Sequence, residues 1–133
     1  MSQVTPAGSQ SSVKRVLVVE DDDDLRGMMQ EILIEAGYEC IDAQDGLEAL
    51  DWLSQVPVDL VVADILMPRM AGPELIAKIR RTRAWAGKPI LLLSGYANLV
   101  PYRSLPVDGV QLKPFSISDF LAQVQGMIGS PTR

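Results

Sequence analysis

The chain has 133 residues, a length that suits one domain, and its 47% apolar content is typical of a globular protein. Its formal net charge of −5 argues against nucleic-acid binding, which needs a basic patch, and no run approaches the ~18 continuous apolar residues of a membrane span. The single cysteine, Cys40, excludes an internal disulfide, and the N-terminus lacks an apolar signal-peptide core, so we expect a cytoplasmic protein.

The N-terminal part of the chain contains a polar segment, an apolar run and a helical pattern. Met1 to Ser12 is rich in Ser, Gln, Gly and Pro, which predicts a flexible tail. Val16 to Val19 predicts a buried strand that ends in an acidic run beginning Glu20-Asp21. Gly37 marks the end of the helix that follows, whose apolar residues at helical spacing are Leu25, Met28, Met29, Ile32 and Leu33.

A second strand and a second helix are predicted before Pro57, which ends that helix. Tyr38 to Ala43 predicts the strand. Asp45, followed three residues later by Glu48, resembles a capping box that opens the helix. The predicted apolar stripe of this helix consists of Leu47, Leu50 and Leu53.

The third apolar run ends abruptly in a carboxylate. Asp59 to Ala63 predicts a strand buried on both faces, because such strands are continuously apolar, and Asp64 follows it. In open α/β sheets, ligand chemistry lies just beyond the carboxyl ends of the strands, so Asp64 is a candidate functional residue. Taken alone, it fits a helix cap or a turn equally well. A third helix begins near Gly72-Pro73 and carries inward Leu75, Ile76 and Ile79.

The C-terminal part of the chain predicts two more strands and a last helix. Pro89 to Leu93 predicts a strand ending in Ser94-Gly95, and Val110 to Leu112 predicts another ending in Lys113. Between them, Tyr96 to Asp108 contains two prolines, so a helix there is short or broken. A last helix begins at Ser116, with Asp119 completing a capping pattern. The residues that this helix is expected to bury are Phe120, Leu121, Val124 and Ile128.

Strands and helices that alternate five times imply a parallel sheet with helices on both faces. In such a sheet the strand ends share one edge, and four of them carry residue types that suit phosphate chemistry. Carboxylates brought together there repel each other, and a divalent cation relieves the repulsion. Oxygen ligands without His or Cys favour Mg²⁺. A lysine and a hydroxyl can hold phosphoryl oxygens, and a carboxylate can be the nucleophile. The strand-end residues are Glu20-Asp21, Asp64, Ser94 and Lys113.

Short motifs surround these strand ends, namely Val18-Val19-Glu20-Asp21-Asp22, Asp64 with Met67-Pro68 and Gly72, Ser94-Gly95, and Lys113-Pro114-Phe115. In this order they resemble the receiver domain of two-component response regulators, from about Val13 to Ile128. The resemblance implies a flavodoxin-like, doubly wound α/β fold with five parallel strands in the order 2-1-3-4-5. A shortened or irregular fourth helix is expected in it. The expected division is a flexible tail at 1–12, a receiver domain at 13–128 and a C-terminal tail at 129–133.

The resemblance also implies roles for the strand-end residues. Asp64 would accept the phosphoryl group and would bind Mg²⁺. Asp21 would bind Mg²⁺ directly, and Glu20 would bind it directly or through its waters. The backbone carbonyl of Leu66 would supply a further ligand.

Two more residues are implied to hold the phosphoryl group. Ser94 would donate a hydrogen bond to a phosphoryl oxygen and move toward it, and Lys113 would form an ion pair with the group. The Lys113–Pro114 peptide bond is expected to be cis, as it usually is in this family.

Structural roles compete with these functional ones. An acidic run often caps a helix and favours its positive end, and we expect that role for Asp22 to Asp24. Ser94 also fits a simple turn, and Lys113 a plain surface lysine. Among the remaining residues, we expect core positions for Cys40, Met28 and Met29 and half-buried packing for Trp52 and Trp85.

The sequence departs from the family in the region after the fourth strand. Three residues before Lys113 the family usually has an aromatic residue, and here the position is Val110. The interval from Ser94 to Lys113 is also a few residues shorter than usual and carries Pro101 and Pro106. The fourth helix and the output face built on it are therefore expected to differ from the family pattern.

The resemblance implies a phosphoacceptor receiver in two-component or phosphorelay signalling. It would not be an enzyme in its own right, but it would promote its own Asp phosphorylation and dephosphorylation. Because the chain has no histidine, the phosphohistidine donor must be another protein, a histidine kinase or a histidine phosphotransfer protein. We expect a monomer that acts on an unidentified downstream protein and binds neither nucleic acid nor membrane.

Two other functions are open to this sequence. A receiver-like module could bind proteins without accepting phosphate, although the intact set of acids, serine and lysine argues against it. A phosphatase of the haloacid dehalogenase type also uses an aspartyl nucleophile, but it needs a second Asp at the position of Leu66. The stretch Leu93-Ser94-Gly95-Tyr96-Ala97 is similar to receivers attached to hybrid kinases, so a larger parent protein is also possible.

Overall fold

Five parallel strands form a sheet in the order β2-β1-β3-β4-β5, as predicted. The computed structural model describes residues 12–67, 69–70, 72–95 and 105–133. The strands are β1 (Arg15–Val19), β2 (Glu39–Ala43), β3 (Leu60–Asp64), β4 (Ile90–Gly95) and β5 (Gly109–Lys113). The described helices are α1 (Asp23–Glu35), α2 (Gly46–Gln55), α3 (Gly72–Arg81) and α4 (Ile117–Ile128).

Helices cover both faces of the sheet, which explains the continuous apolar runs. Successive strand residues point to opposite faces, and in the three central strands β1, β3 and β4 both faces are buried, so almost every position there is apolar. On one face α2 and α3 pack against a core that includes Leu17, Val61 and Leu92. On the other face α1 and α4 pack against a core that includes Val18, Val62 and Leu91.

The predicted helix caps are confirmed. Asp22 accepts hydrogen bonds from the backbone N–H groups of Asp24 and Leu25 at the start of α1. Asp45 caps α2 through the N–H of Glu48, and Ser116 caps α4 through an N–H three residues later. The core predictions for the last three helices also agree for the buried residues Leu53, Leu75, Ile76, Ile79, Phe120 and Val124.

Two residues predicted to lie in the core are exposed. Met28 is 41% exposed in α1 and Leu47 is 44% exposed in α2. Consecutive side chains on a helix point about 100° apart around its axis. A residue at the edge of the apolar stripe therefore points toward solvent when the arc of the helix that contacts the sheet is narrower than the stripe. The inward positions belong instead to Met29 and Ala49, which are fully buried.

The segment expected to be a C-terminal tail makes specific contacts. Thr132 forms an isolated antiparallel bridge with Val13, and the N–H of Lys14 donates to the carbonyl of Pro131 at 2.8 Å. The Arg133 guanidinium contacts both carboxylate oxygens of Asp59, at 2.7 and 2.8 Å. Backbone pairing with the residues just before β1 and a charge-assisted contact with Asp59, just before β3, therefore hold this end of the chain in place.

Several predictions concern residues that the structure does not describe. The polar segment Met1 to Ser12 is described only at its last residue, and the broken helix between Tyr96 and Asp108 only at 105–108, which form a loop. Within the described ranges, no helix combines the length and apolarity needed to cross a membrane. The Lys113–Pro114 bond is cis, as expected.

Candidate functional site

Three carboxylates meet at the carboxyl end of the sheet. Glu20 directly follows β1, Asp21 comes next, and Asp64 is the last residue of β3. An oxygen from each of these side chains lies within 4.8 Å of the others. Glu20 and Asp64 are 1% and 7% exposed, whereas Asp21 faces solvent.

The strand register explains why residues so far apart in the sequence meet. β1 and β3 are parallel neighbours, with Val19 opposite Ala63, so the next residue on each strand reaches the same edge. The apolar runs continue up to these positions and stop there. The polar side chains consequently lie at the rim of the core, buried yet facing the open end of the sheet.

Lys113, at the end of β5, contacts two of these carboxylates. It is the last residue of β5, and its Nζ lies 2.9 Å from Glu20 Oε1 and 3.3 Å from Asp64 Oδ2. The ammonium thus touches the acids that follow β1 and end β3, although β4 separates β5 from β3. The alternative role weighed from the sequence, a plain surface lysine, does not fit these two contacts.

The electrostatics of the site leave negative charge only partly compensated. Burial raises the pKa of Glu20 to about 7; the hydrogen bond from Lys113 opposes this rise, and the Asp64 charge reinforces it. Burial also raises the pKa of Asp64 against the opposing pull of Lys113. Burial alone would lower the pKa of Lys113, but the two carboxylates together outweigh it and raise that pKa.

The donor set fits a hard divalent cation. Three carboxylates with one ammonium carry more negative charge than positive, and the set contains oxygen ligands without His or Cys. Carboxylate oxygens are what Mg²⁺ prefers, and it commonly binds through one or two carboxylates while keeping several waters. A cation here would stabilise the charged form of these acids, whose pKa is raised mainly by burial and further by the neighbouring carboxylates.

The two remaining predicted residues flank this cluster. Ser94 lies in β4, one residue beyond the residue paired with Asp64, and is 1% exposed. Its hydroxyl donates to the carbonyl of Gly95 at 2.8 Å. Leu66 lies two residues after Asp64, and its side chain is 53% exposed. The roles predicted for Ser94 and for the Leu66 carbonyl stay predictions.

Sequence reasoning missed two arginines beside the site. Arg26 donates to the backbone carbonyl of Glu20 at 2.8 Å and to the carboxylates of Asp23 and Asp42. The spacing of three residues from Asp23 was a detectable signal, because such pairs meet on a helix. Arg69 donates to Asp45 Oδ2 at 2.6 Å. The two residues are 24 positions apart in the sequence, so no local sequence pattern predicts this contact.

A groove adjoins the charged cluster. It has a volume of about 510 Å³ and is mostly apolar. The exposed Met28 of α1 lies on it, as do Lys113 and two acidic residues, Asp22 and Asp24. The residues that complete its lining are Leu25, Pro114 and Phe115.

Comparison with known proteins agrees with the geometry. The family model for the response regulator receiver domain matches residues 16–125. The chain is 33% identical over 119 residues to the response regulator receiver protein CpdR of Brucella abortus, covering 87% of this chain and 98% of that protein. It is 36% identical over 122 residues to the sensor histidine kinase TmoS of Ectopseudomonas mendocina, covering 90% of this chain but only 12% of the kinase.

A solved structure shares the fold. The receiver domain of the sensor histidine kinase PA1611 from Pseudomonas aeruginosa, solved with a magnesium ion in its active-site cleft, superimposes with a TM-score of 0.81. The match covers 89% of this chain and 99% of that one at 22% identity. The family match, the similarity to CpdR over nearly its whole length and the strand order agree, and the chain therefore belongs to the response regulator receiver domain family of two-component signalling.

Proposed function

We propose that Asp64 accepts a phosphoryl group from a phosphohistidine on a histidine kinase or a histidine phosphotransfer protein, with Mg²⁺ bound beside it. The observation that carries this proposal is the contact of Lys113 with both Glu20 and Asp64 at the carboxyl end of the sheet. That arrangement brings Asp64, the proposed nucleophile, together with two further acids and a cation. Such a set suits the transfer of a charged group.

Asp21 and Asp64 would hold Mg²⁺ through their carboxylates, and Glu20 would hold it directly or through its waters. The Leu66 carbonyl would complete the protein ligands. The bound ion would supply positive charge that offsets the charge of the acids and of the incoming phosphoryl oxygens. The magnesium in the PA1611 receiver supports this identity for the metal.

Asp64 acts as the nucleophile in the proposed step. A carboxylate oxygen of Asp64 forms a bond to phosphorus while the bond from phosphorus to the donor imidazole nitrogen breaks. The electron pair of that bond stays on the imidazole nitrogen. A ring already protonated on its other nitrogen leaves as neutral histidine, and an unprotonated ring takes up a proton from water as it leaves. The product is an aspartyl phosphate on this chain and a free histidine on the donor.

Lys113 and Ser94 would hold the transferred group. Lys113 already lies 3.3 Å from Asp64, so its ammonium can pair with a phosphoryl oxygen at a small cost in reorganisation. The Ser94 hydroxyl would exchange its bond to the Gly95 carbonyl for one to a phosphoryl oxygen. The same residues would promote hydrolysis of the aspartyl phosphate, so that the domain catalyses its own return to the unphosphorylated form.

Two partners are proposed. The groove beside Lys113 gives the donor protein an apolar surface adjoining the site, and the rim carboxylates of Asp22 and Asp24 would favour basic residues on that protein. The phosphorylated domain would then act on a downstream protein. A receiver-like module that signals without phosphorylation would have no use for the complete set of acids and lysine that meets here.

The proposal is tested by exposing the purified protein to a small phosphodonor and Mg²⁺ and measuring its intact mass. We expect one added phosphoryl group on the unaltered protein and none on Asp64→Asn, because an amide oxygen is a poor nucleophile. Asp51→Asn, at an exposed position of α2, is the matched control and should be labelled normally. An adduct of undiminished yield on Asp64→Asn would overturn the assignment.

A further inference from the structure

The segment between β3 and α3, residues 65–71, connects the proposed phosphoacceptor to the helix that follows, and the structure describes this loop at 65–67 and 69–70. It carries Leu66, whose carbonyl is a proposed metal ligand. The Leu66 side chain is 53% exposed, so it does little to hold its own backbone in place. The position of that carbonyl must depend on contacts made elsewhere in the loop.

One such contact joins the loop to the start of α2. Asp45 Oδ1 accepts the N–H of Glu48 at 2.9 Å and so caps the helix, while Oδ2 accepts from Arg69 Nε at 2.6 Å. A second guanidinium nitrogen of Arg69, Nη2, also forms an ion pair with Oδ2. Asp45 is only 3% exposed, so a single buried carboxylate serves both the helix and the loop.

The charge of Asp45 is maintained in this position. Burial favours the neutral acid, but the Glu48 N–H and the Arg69 guanidinium outweigh it and lower the pKa of Asp45 below its usual range. The carboxylate is therefore ionised at neutral pH, and the contact with Arg69 is a true ion pair.

The backbone of Arg69 indicates that side-chain contacts hold it. Its φ is +63°, in the left-handed region that L residues rarely adopt. Such conformations persist where the surroundings over-determine them, and they cluster at functional sites. The ion pair with Asp45 is a contact that can maintain this conformation.

Close packing adds a second link between the loop and α2. A Cβ placed on Gly46 would lie 2.7 Å from the Met70 side chain and 2.9 Å from the Met70 carbonyl oxygen. Gly46 is the first residue of α2, directly after Asp45. The loop therefore rests against the first turn of this helix through two consecutive residues, Arg69 and Met70.

We propose that Arg69 is a positioning residue for the metal site. Its ion pair with Asp45 holds the 65–71 loop against α2 and thereby sets the place of the Leu66 carbonyl relative to Asp64. This inference rests on the proposed function, since it assigns Arg69 a part in the same Mg²⁺ site. Arg69 is not itself among the proposed metal ligands or the residues proposed to hold the phosphoryl group.

The sign of the effect on Mg²⁺ affinity separates positioning from simple electrostatics. Arg69→Gln removes a positive charge, and the loss of its Coulomb repulsion toward Mg²⁺ would by itself strengthen Mg²⁺ binding. Loss of positioning weakens it instead. We expect a loss of about tenfold, the low end of the range for groups that orient metal ligands.

The experiment is a titration of the full chain with Mg²⁺ followed by amide chemical shifts, together with urea unfolding of each variant. Arg69→Gln should bind Mg²⁺ more weakly than the unaltered protein, and Arg69→Lys should recover part of the loss. Arg81→Gln, an exposed residue at the end of α3 with the same change in charge, is the control and should not weaken binding.

A second variant keeps the test valid if Arg69→Gln does not fold. Asp45→Asn retains a good helix cap but weakens the bond to Arg69. We expect Asp45→Asn to lower Mg²⁺ affinity. The double variant should bind Mg²⁺ no more weakly than Arg69→Gln alone, because both substitutions break the same ion pair. Unchanged or stronger binding by folded Arg69→Gln, or full additivity of the two changes, would overturn the inference. Failure of the unaltered protein to bind Mg²⁺ would instead count against the proposed function.

Discussion

At the scale of single residues, two polar side chains of β5, Lys113 and Gln111, differ in whether they have polar partners. Lys113 ends β5, and two carboxylates lie within 3.3 Å of its ammonium group. Gln111, two residues earlier, is 8% exposed and is paired in register with Leu93. Its Oε1 has no hydrogen-bond partner among the described residues, and its Nε2 makes only a long contact of 3.4 Å.

Gln111 is expected to lower the stability of the domain. A buried polar group without a partner costs about 1–3 kcal/mol. Replacing Gln111 with Leu should therefore raise the free energy of unfolding by about 1–2 kcal/mol, because it removes the unsatisfied oxygen and adds apolar contacts. Urea unfolding followed by tryptophan fluorescence measures the change. The exposed Gln125→Leu serves as control and should stay within about 0.5 kcal/mol, and a loss of stability in Gln111→Leu would contradict the prediction.

At the scale of elements, the approach of α3 to β3 depends on a glycine. Gly72 begins α3, and its N–H donates to the Ile65 carbonyl at 2.9 Å. A Cβ on Gly72 would lie 2.3 Å from the Asp64 carbonyl oxygen and 2.8 Å from the Ile65 Cα, both of them backbone atoms. The helix can lie this close to the acceptor strand because position 72 has no side chain.

Gly72→Ala should consequently separate α3 from β3. Overpacking against backbone typically costs about 1–3 kcal/mol, and we expect the free energy of unfolding to fall by that amount. Gly126→Ala is the matched comparison, because nothing lies within 4 Å of its added Cβ in α4, and alanine in a helix should stabilise by about 0.5–1 kcal/mol. Equal effects of the two substitutions in chemical denaturation would show that the close approach is not needed.

At the scale of the whole molecule, the face beside β5 departs from the family pattern. Val110 is half-buried and packs against the core on the α2–α3 face of the sheet, as do Trp85, Leu105 and Val107. Its carbonyl accepts a hydrogen bond from Gln123 of α4 at 2.8 Å. The position where the family usually has an aromatic residue is thus a small packed side chain. From the sequence we also expect the loop after Ser94 to carry the signal, with Tyr96 and Asn98 as its reporters, and both residues lie outside the described part of the chain.

We therefore predict that activation leaves the domain monomeric. Family members often pair through the fourth helix, the fifth strand and the helix after it, but here Pro101 and Pro106 interrupt the stretch expected to form the fourth helix. A proline inside a helix costs about 3 kcal/mol, so a long regular helix is unfavourable there. Light scattering at tens of micromolar protein, with and without Mg²⁺ and beryllofluoride as a phosphoryl mimic, measures the mass. A stable activated dimer would refute the prediction.

The sequence by itself determined the elements and the identity of the strand-end residues. Continuous apolar runs marked strands covered on both faces, and Asp45 and Ser116 marked helix starts through local capping patterns. Glu20, Asp21, Asp64 and Lys113 were predicted as a set because parallel strands end at one edge, and the structure brings them together. These features depend on residues close in sequence or on the topology of the sheet.

The tertiary structure alone decided which side chains meet across elements. The exposure of Met28 and Leu47 depends on how wide an arc of each helix contacts the sheet, which periodicity does not reveal. The pairing of Arg69 with Asp45 and of Arg133 with Asp59 joins residues 24 and 74 positions apart. Such contacts depend on the distances between packed elements and on the direction of each side chain, and a linear pattern contains neither.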